Sequence, residues 1–137
     1  MLMSYWILPL IFIFNDFEEM IFVPIWKKQQ SDLMSRMKKP FFGKTKGGSS
    51  FDVGVLIIFT MLVVVSGISF IRNAPSLYVA ALVAYGIHFG LHVKMCLQVQ
   101  RYVPGIVTTI LEAPWMIWIV FQYVSLGKID LIGFTSY

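Results

Sequence analysis

The stretch VGVLIIFTMLVVVSGISFI, residues 53–71, runs for 19 positions without a charged side chain. A helix needs roughly 20 mainly apolar residues, at about 1.5 Å each, to cross the hydrocarbon core of a bilayer, so this segment reads as a membrane span. Three further stretches of similar length surround it, at about residues 4–26, 77–97 and 104–124. The composition agrees, because 58% of the 137 residues are hydrophobic and only 13% are charged, against about 45–50% apolar content in ordinary soluble domains. The expected fold is all-α: a single polytopic membrane domain over residues 1–137, a bundle of four transmembrane helices with a basic loop at 27–52.

The distribution of cations sets the expected orientation. Lys27, Lys28, Arg36, Lys38, Lys39, Lys44 and Lys46 lie between the first two spans, and Lys94 and Arg101 flank the turn on the same side, which makes nine of eleven. Only Arg72 and Lys128 fall opposite. The positive-inside rule then places the 27–52 loop in the cytoplasm and both termini outside, in a cell (inner) membrane. No Lys or Arg precedes Lys27 and no small-residue cleavage site ends the first apolar run, so that run is read as a retained span. Cations placed this way report topology, and no nucleic-acid partner is expected. The single cysteine, Cys96, excludes an internal disulfide framework and a Cys-rich zinc cluster. Inside the loop, Leu33, Met34 and Met37 at helical spacing suggest an interfacial helix, followed by Pro40-Phe41-Phe42 and a Lys/Gly/Ser linker. Trp6, Trp26, Tyr78, Tyr102 and Tyr123 fall near span ends, where aromatic belts form; Trp115 and Trp118 read as lipid-facing.

Charges inside the spans need a separate explanation. Asp16, Glu18 and Glu19 sit in the first span beside Asn15, and Glu112 sits halfway through the fourth, so four of seven acidic residues lie at membrane depth. Each carboxylate there costs about 2.5–3.5 kcal/mol on insertion scales, so the group must face inward and be paired or protonated. Partners are available in the third span, where His88 and His92 are four residues apart and project from one helical face. Tyr85 and Cys96 extend that stripe, Cys96 as a packing residue. Gly86 and Gly90, on the other side, suggest close approach of a neighbouring helix. With alternating span directions, Glu18, Glu19, His88, His92 and Glu112 fall in the middle or inner half of the bilayer. The candidate site is therefore Glu18, Glu19, His88 and His92, as ligands of a divalent metal such as Zn or Fe or as acid–base groups, with Asn15, Asp16, Glu112 and Tyr102 in support. A polar cluster that only ties helices together is the alternative.

The segment Asn15-Asp16-Phe17-Glu18-Glu19, the downstream His92 and Tyr102-Val103-Pro104-Gly105 together resemble the HXXEE-domain family of small bacterial and archaeal membrane proteins. That family carries a His-x-x-Glu-Glu motif, a later histidine and a Tyr-x-Pro-Gly motif, and the order and spacing agree over nearly the whole chain. Asn15 stands where the family has histidine. The resemblance implies a site built on Glu18, Glu19 and His92, in which a neutral amide replaces an imidazole and His88 is the available compensation. It implies no reaction. Tyr102-Val103-Pro104-Gly105 also has a direct reading, since proline suits the first turn of a helix and Gly105 permits tight packing or ligand approach.

The function expected is metal-assisted or acid–base chemistry on a membrane-embedded lipid-like or hydrophobic peptide substrate. Membrane lipids, and further copies of the chain or a larger complex, are the expected partners. The competing classes are a non-catalytic subunit of a membrane complex, an immunity protein and a proton-coupled transporter component in which the carboxylates form a relay.

Overall fold

The computed structural model describes residues 4–42 and 49–127, and they are all-α. The chain folds into α1 (Ile7–Gln29), α2 (Ser31–Arg36), α3 (Ser49–Arg72), α4 (Pro75–Val99) and α5 (Ile106–Ser125). The linker at 43–48 and the tail from Lys128 lie outside the described residues, so the expectations for Lys44, Lys46 and Lys128 do too. Among the described residues, three helical segments are long and apolar enough to cross a membrane: Phe51–Arg72, Pro75–Val99 and Ile106–Ser125. α1 matches them in length, with 23 residues, but carries Asp16, Glu18 and Glu19 as well as Lys27 and Lys28.

The four long helices contact one another in a ring, with α1 against α3 and α5, and α4 against α3 and α5. Local sequence explains their limits. Asn73-Ala74 separates α3 from α4, which starts on Pro75, a residue suited to a first turn because it has no N–H to leave unbonded. Gln100 in a left-handed conformation ends α4, its N–H donating to the Cys96 carbonyl. α2 is a single short helix that stops at Arg36, one residue before Met37.

Burial divides along the length of the helices. Leu8 and Phe12 of α1, Tyr78, Leu82 and Phe89 of α4, and Met116 and Ile119 of α5 belong to one apolar core. The middle of α1, the C-terminal half of α4 and the first turn of α5 bury polar side chains instead. The outward faces are apolar, with Leu56, Ile57 and Met61 on α3 and Trp115 and Trp118 on α5 exposed. A surface of that kind is stable against lipid and costly against water, at about 25 cal/mol per Å².

Two expectations change here. Trp26, Tyr78 and Tyr123 are buried inside the protein, where an outward-facing belt would expose them. Their polar atoms explain the difference: Trp26 Nε1 donates to the Tyr102 carbonyl at 2.7 Å, and the Tyr78 hydroxyl donates to the Ser4 carbonyl at 3.3 Å. The Gly86/Gly90 pair does not bring a helix backbone close. A methyl group at Gly90 would meet nothing within 4 Å, and one at Gly86 would meet only the Met116 side chain at 3.9 Å.

Candidate functional site

The site begins with the spacing of α1. Asn15, Glu18 and Glu19 share a helical face at i, i+3 and i, i+4, and all three are buried. Their oxygens nevertheless go to different places. Glu18 faces the N-terminus of α5, whose own cap position, Gly105, offers no side-chain acceptor. Glu18 Oε2 accepts from the Thr108 N–H at 2.8 Å and the Thr108 hydroxyl at 2.7 Å, while Oε1 accepts from the Tyr102 hydroxyl at 2.7 Å and the Val107 N–H at 3.4 Å. A carboxylate from another helix thus satisfies first-turn amides that would otherwise stay unbonded and opposes the positive end of the helix dipole. Burial and the adjacent Glu18 carboxylate push the Tyr102 phenol above its ordinary pKa, so it remains a donor.

Asn15 holds the same turn from the other side. Its Nδ2 donates to the Gly105 carbonyl at 3.0 Å and to the Thr108 hydroxyl at 2.7 Å. The Asn-x-x-Glu spacing and the Tyr-x-Pro-Gly segment are therefore two halves of one joint between α1 and the start of α5.

Glu19 turns towards α4 instead. Its Oε1 lies 2.7 Å from His92 Nε2 and 3.6 Å from His88 Nε2, and the two Nε2 atoms are 3.0 Å apart. The carboxylate oxygen thus faces both imidazoles at once. Three potential ligand atoms lie close together, the two Nε2 atoms at hydrogen-bond distance from each other. Ligands of a tetrahedral ion held at about 2.0–2.1 Å stand about 3.3–3.4 Å apart; the 3.6 Å separation is close to this, and the 2.7 and 3.0 Å separations would have to widen to admit an ion. Among the described residues, His92 Nδ1 and Asn15 Oδ1 are buried without a hydrogen-bond partner. Glu19, His88 and His92 are close enough to hold a metal ion.

Gly105 makes this convergence possible. Its φ of +90° is open to glycine and rare for other residues, and a Cβ there would stand 2.5 Å from His92 Cε1 and 2.9 Å from Glu19 Oε1. The backbone of the α5 start is thus packed directly on the histidine and the carboxylate.

The group is open on one side. Glu19 and His92 are almost fully buried, whereas the His88 side chain is 38% exposed. His88, His92 and Glu19 form one end of a cavity of about 310 Å³. Phe41, Phe42 and Phe51 contribute its aromatic wall, Leu91 and Met95 of α4 continue the apolar lining, and Lys94 and Gln98 complete it.

The structure therefore gathers Glu19, His88 and His92, and gives Glu18, Asn15 and Tyr102 to the adjoining joint. Asp16 and Glu112 are in neither group; among the described residues, Asp16 Oδ2 and Glu112 Oε2 are buried without hydrogen-bond partners, as is the Tyr85 hydroxyl. Cys96 donates to the Arg101 carbonyl at 3.3 Å and takes no part. Thr108, one turn from Glu112 on α5, reaches across to Glu18. The cavity lining was missed, although Leu91, Met95 and Gln98 continue the His88 face of α4 at helical spacing and carried that signal.

A family model described as "Protein of unknown function with HXXEE motif" matches residues 6–119. No curated protein and no solved structure matches the chain.

Proposed function

The chain belongs to the HXXEE family, and from that premise we propose that it is a four-span membrane metalloenzyme of the cell (inner) membrane, with Glu19, His88 and His92 as ligands of a divalent metal, Zn or Fe. α1 is the fourth span in this reading. Two of its three carboxylates are satisfied, Glu18 by α5 and Glu19 by two histidines, and Asp16 is buried away from lipid. The observation that carries the proposal is the convergence of Glu19 Oε1, His88 Nε2 and His92 Nε2 beside a cavity. Three protein ligands with an open side are the pattern of a catalytic centre, whereas structural zinc sites are closed by four.

The metal would act as a Lewis acid or lower the pKa of a bound water. The residues of the chain supply the rest. Glu19 offsets the cation's charge in a low-dielectric setting, and the α5 start, held by Glu18, Tyr102 and Asn15, fixes His92 through Gly105. Phe41, Phe42 and Phe51 give the cavity an apolar side. The substrate is a membrane-embedded lipid-like molecule or hydrophobic peptide.

Asn15 does not subtract a ligand in this arrangement, because it points at the α5 turn and His88 supplies the third donor. Elemental analysis of detergent-purified protein tests the centre. We expect about one equivalent of metal in the wild type and in Glu18→Gln, and less than a tenth of that in Glu19→Gln and His92→Ala. A metal-free wild type overturns the proposal, and metal in an Asn15→His variant alone would mean that this member has lost an ancestral site.

A second reading is supported by the unpartnered oxygens of Asp16 and Glu112, which suit a proton-coupled transporter component. Proton uptake into proteoliposomes, abolished by Glu112→Gln and unaffected by chelators, would favour it.

A further inference from the structure

We infer that the cavity beside Glu19, His88 and His92 binds a single-chain lipid with an anionic head group. This narrows the substrate of the centre proposed above and rests on that reading for its role in catalysis, although binding itself needs only the cavity.

Size, lining and charge each bear on the occupant. At about 310 Å³ the space is near the lower end of ligand pockets, which run from about 300 to 1,000 Å³. That is about the volume of one hydrocarbon chain of modest length. Its wall is apolar and firmly held: Phe42 packs edge-to-face on Phe51 with centroids 5.9 Å apart, Phe41 stacks on the buried Trp26 at 6.4 Å, and Lys27 Nζ donates to the Phe42 carbonyl at 2.8 Å. Leu91 and Met95 face the same space, and methionine adapts to flexible chains.

The polar lining is asymmetric. Glu19 is the acidic residue among the described lining residues, and it faces two histidines. Lys94 is exposed, and with Gln98 it stands nearer the end of α4 than the histidines do. These two offer hydrogen-bond donors to a phosphate or carboxylate and no counter-charge to a cationic head. The adjoining segment, Lys38-Lys39-Pro40-Phe41, adds exposed cations on the chain that leads into the wall. Anionic lipid is drawn to such a segment by about 1 kcal/mol per surface cation.

Binding of radiolabelled dodecyl phosphate to the full chain in phosphatidylcholine nanodiscs, corrected with empty discs, tests the inference. The result expected is one saturable equivalent, displaced at least tenfold more weakly by dodecyltrimethylammonium and by dodecanol than by unlabelled dodecyl phosphate. Inorganic phosphate alone should not displace it. Met95→Trp, which fills the cavity, and Lys94→Gln, an exposed change that leaves packing intact, should each weaken binding about tenfold, while Leu97→Trp, outside the lining, should not. Absence of saturable binding, equal competition by the cationic amphiphile, or wild-type binding by both Met95→Trp and Lys94→Gln would overturn it. Metal content measured on the same preparations separates the two proposals. Metal without lipid binding removes this inference alone, and lipid binding without metal removes the metal centre alone.

Discussion

Two adjacent glutamates take opposite roles because a helix turns by about 100° per residue. Glu18 spends both oxygens on the α5 turn, and Glu19 puts one against two imidazoles. Gly105 separates these environments at the scale of a single methyl group. A non-glycine residue at its φ costs about 1–2 kcal/mol, and forcing a Cβ against His92 and Glu19 adds an overpacking cost of about 1–3 kcal/mol. Gly105→Ala is therefore expected to lose at least about 2 kcal/mol in reversible unfolding from mixed micelles and to displace His92. Gly90→Ala, with open space around it, should change stability by less than about 0.5 kcal/mol or raise it slightly. Equal effects from the two glycines would contradict the packing described.

At the level of elements, the start of α5 is held by side chains from elsewhere in the chain. Gly105 provides no cap of its own, so the Val107 and Thr108 amides depend on Glu18, and the Tyr102 hydroxyl secures that carboxylate. Unbonded amides are costly where water is scarce, by several kcal/mol each in hydrocarbon. Glu18→Ala should speed amide hydrogen exchange of residues 107–109 at least tenfold, and Tyr102→Phe should do so less. Exchange at residues 116–119 in the apolar core should stay near wild type in both. Uniform acceleration along α5 would mean that Glu18 supports the whole fold and has no local capping role. This joint was only half legible in the sequence. The Asn15, Glu18 and Tyr-Val-Pro-Gly positions stood out, but nothing in their spacing says that a carboxylate on α1 caps a helix beginning about ninety residues later.

At the scale of the whole molecule, outward apolar faces, an inward polar group and three helices long and apolar enough to cross a membrane, among the described residues, are compatible with a protein whose solvent is lipid. The orientation derived from the cations makes a direct expectation. In a Cys96→Ser background, Lys28→Cys should react with a membrane-impermeant maleimide only after the cytoplasmic side is opened, and Asn73→Cys should react in intact cells. Labelling of both from the same side would overturn the four-span arrangement, because α3, the long helix between them, would no longer cross once.

The sequence by itself determined the helical class, the approximate limits of the four long helices, the family and the residues from which any site must be drawn. It could do so because helix length, apolar runs and buried charge are local or compositional properties, readable from periods of 3.6 residues and from the cost of putting charge in lipid. Tertiary structure decided how those residues divide. It separated Glu18 from Glu19, drew His88 in beside His92, set Gly105 against both the histidine and the carboxylate, and left a cavity walled by phenylalanines from the loop and α3. Those outcomes depend on the rotation and axial offset of one helix against another, set by packing among residues far apart in the chain, which no local pattern encodes.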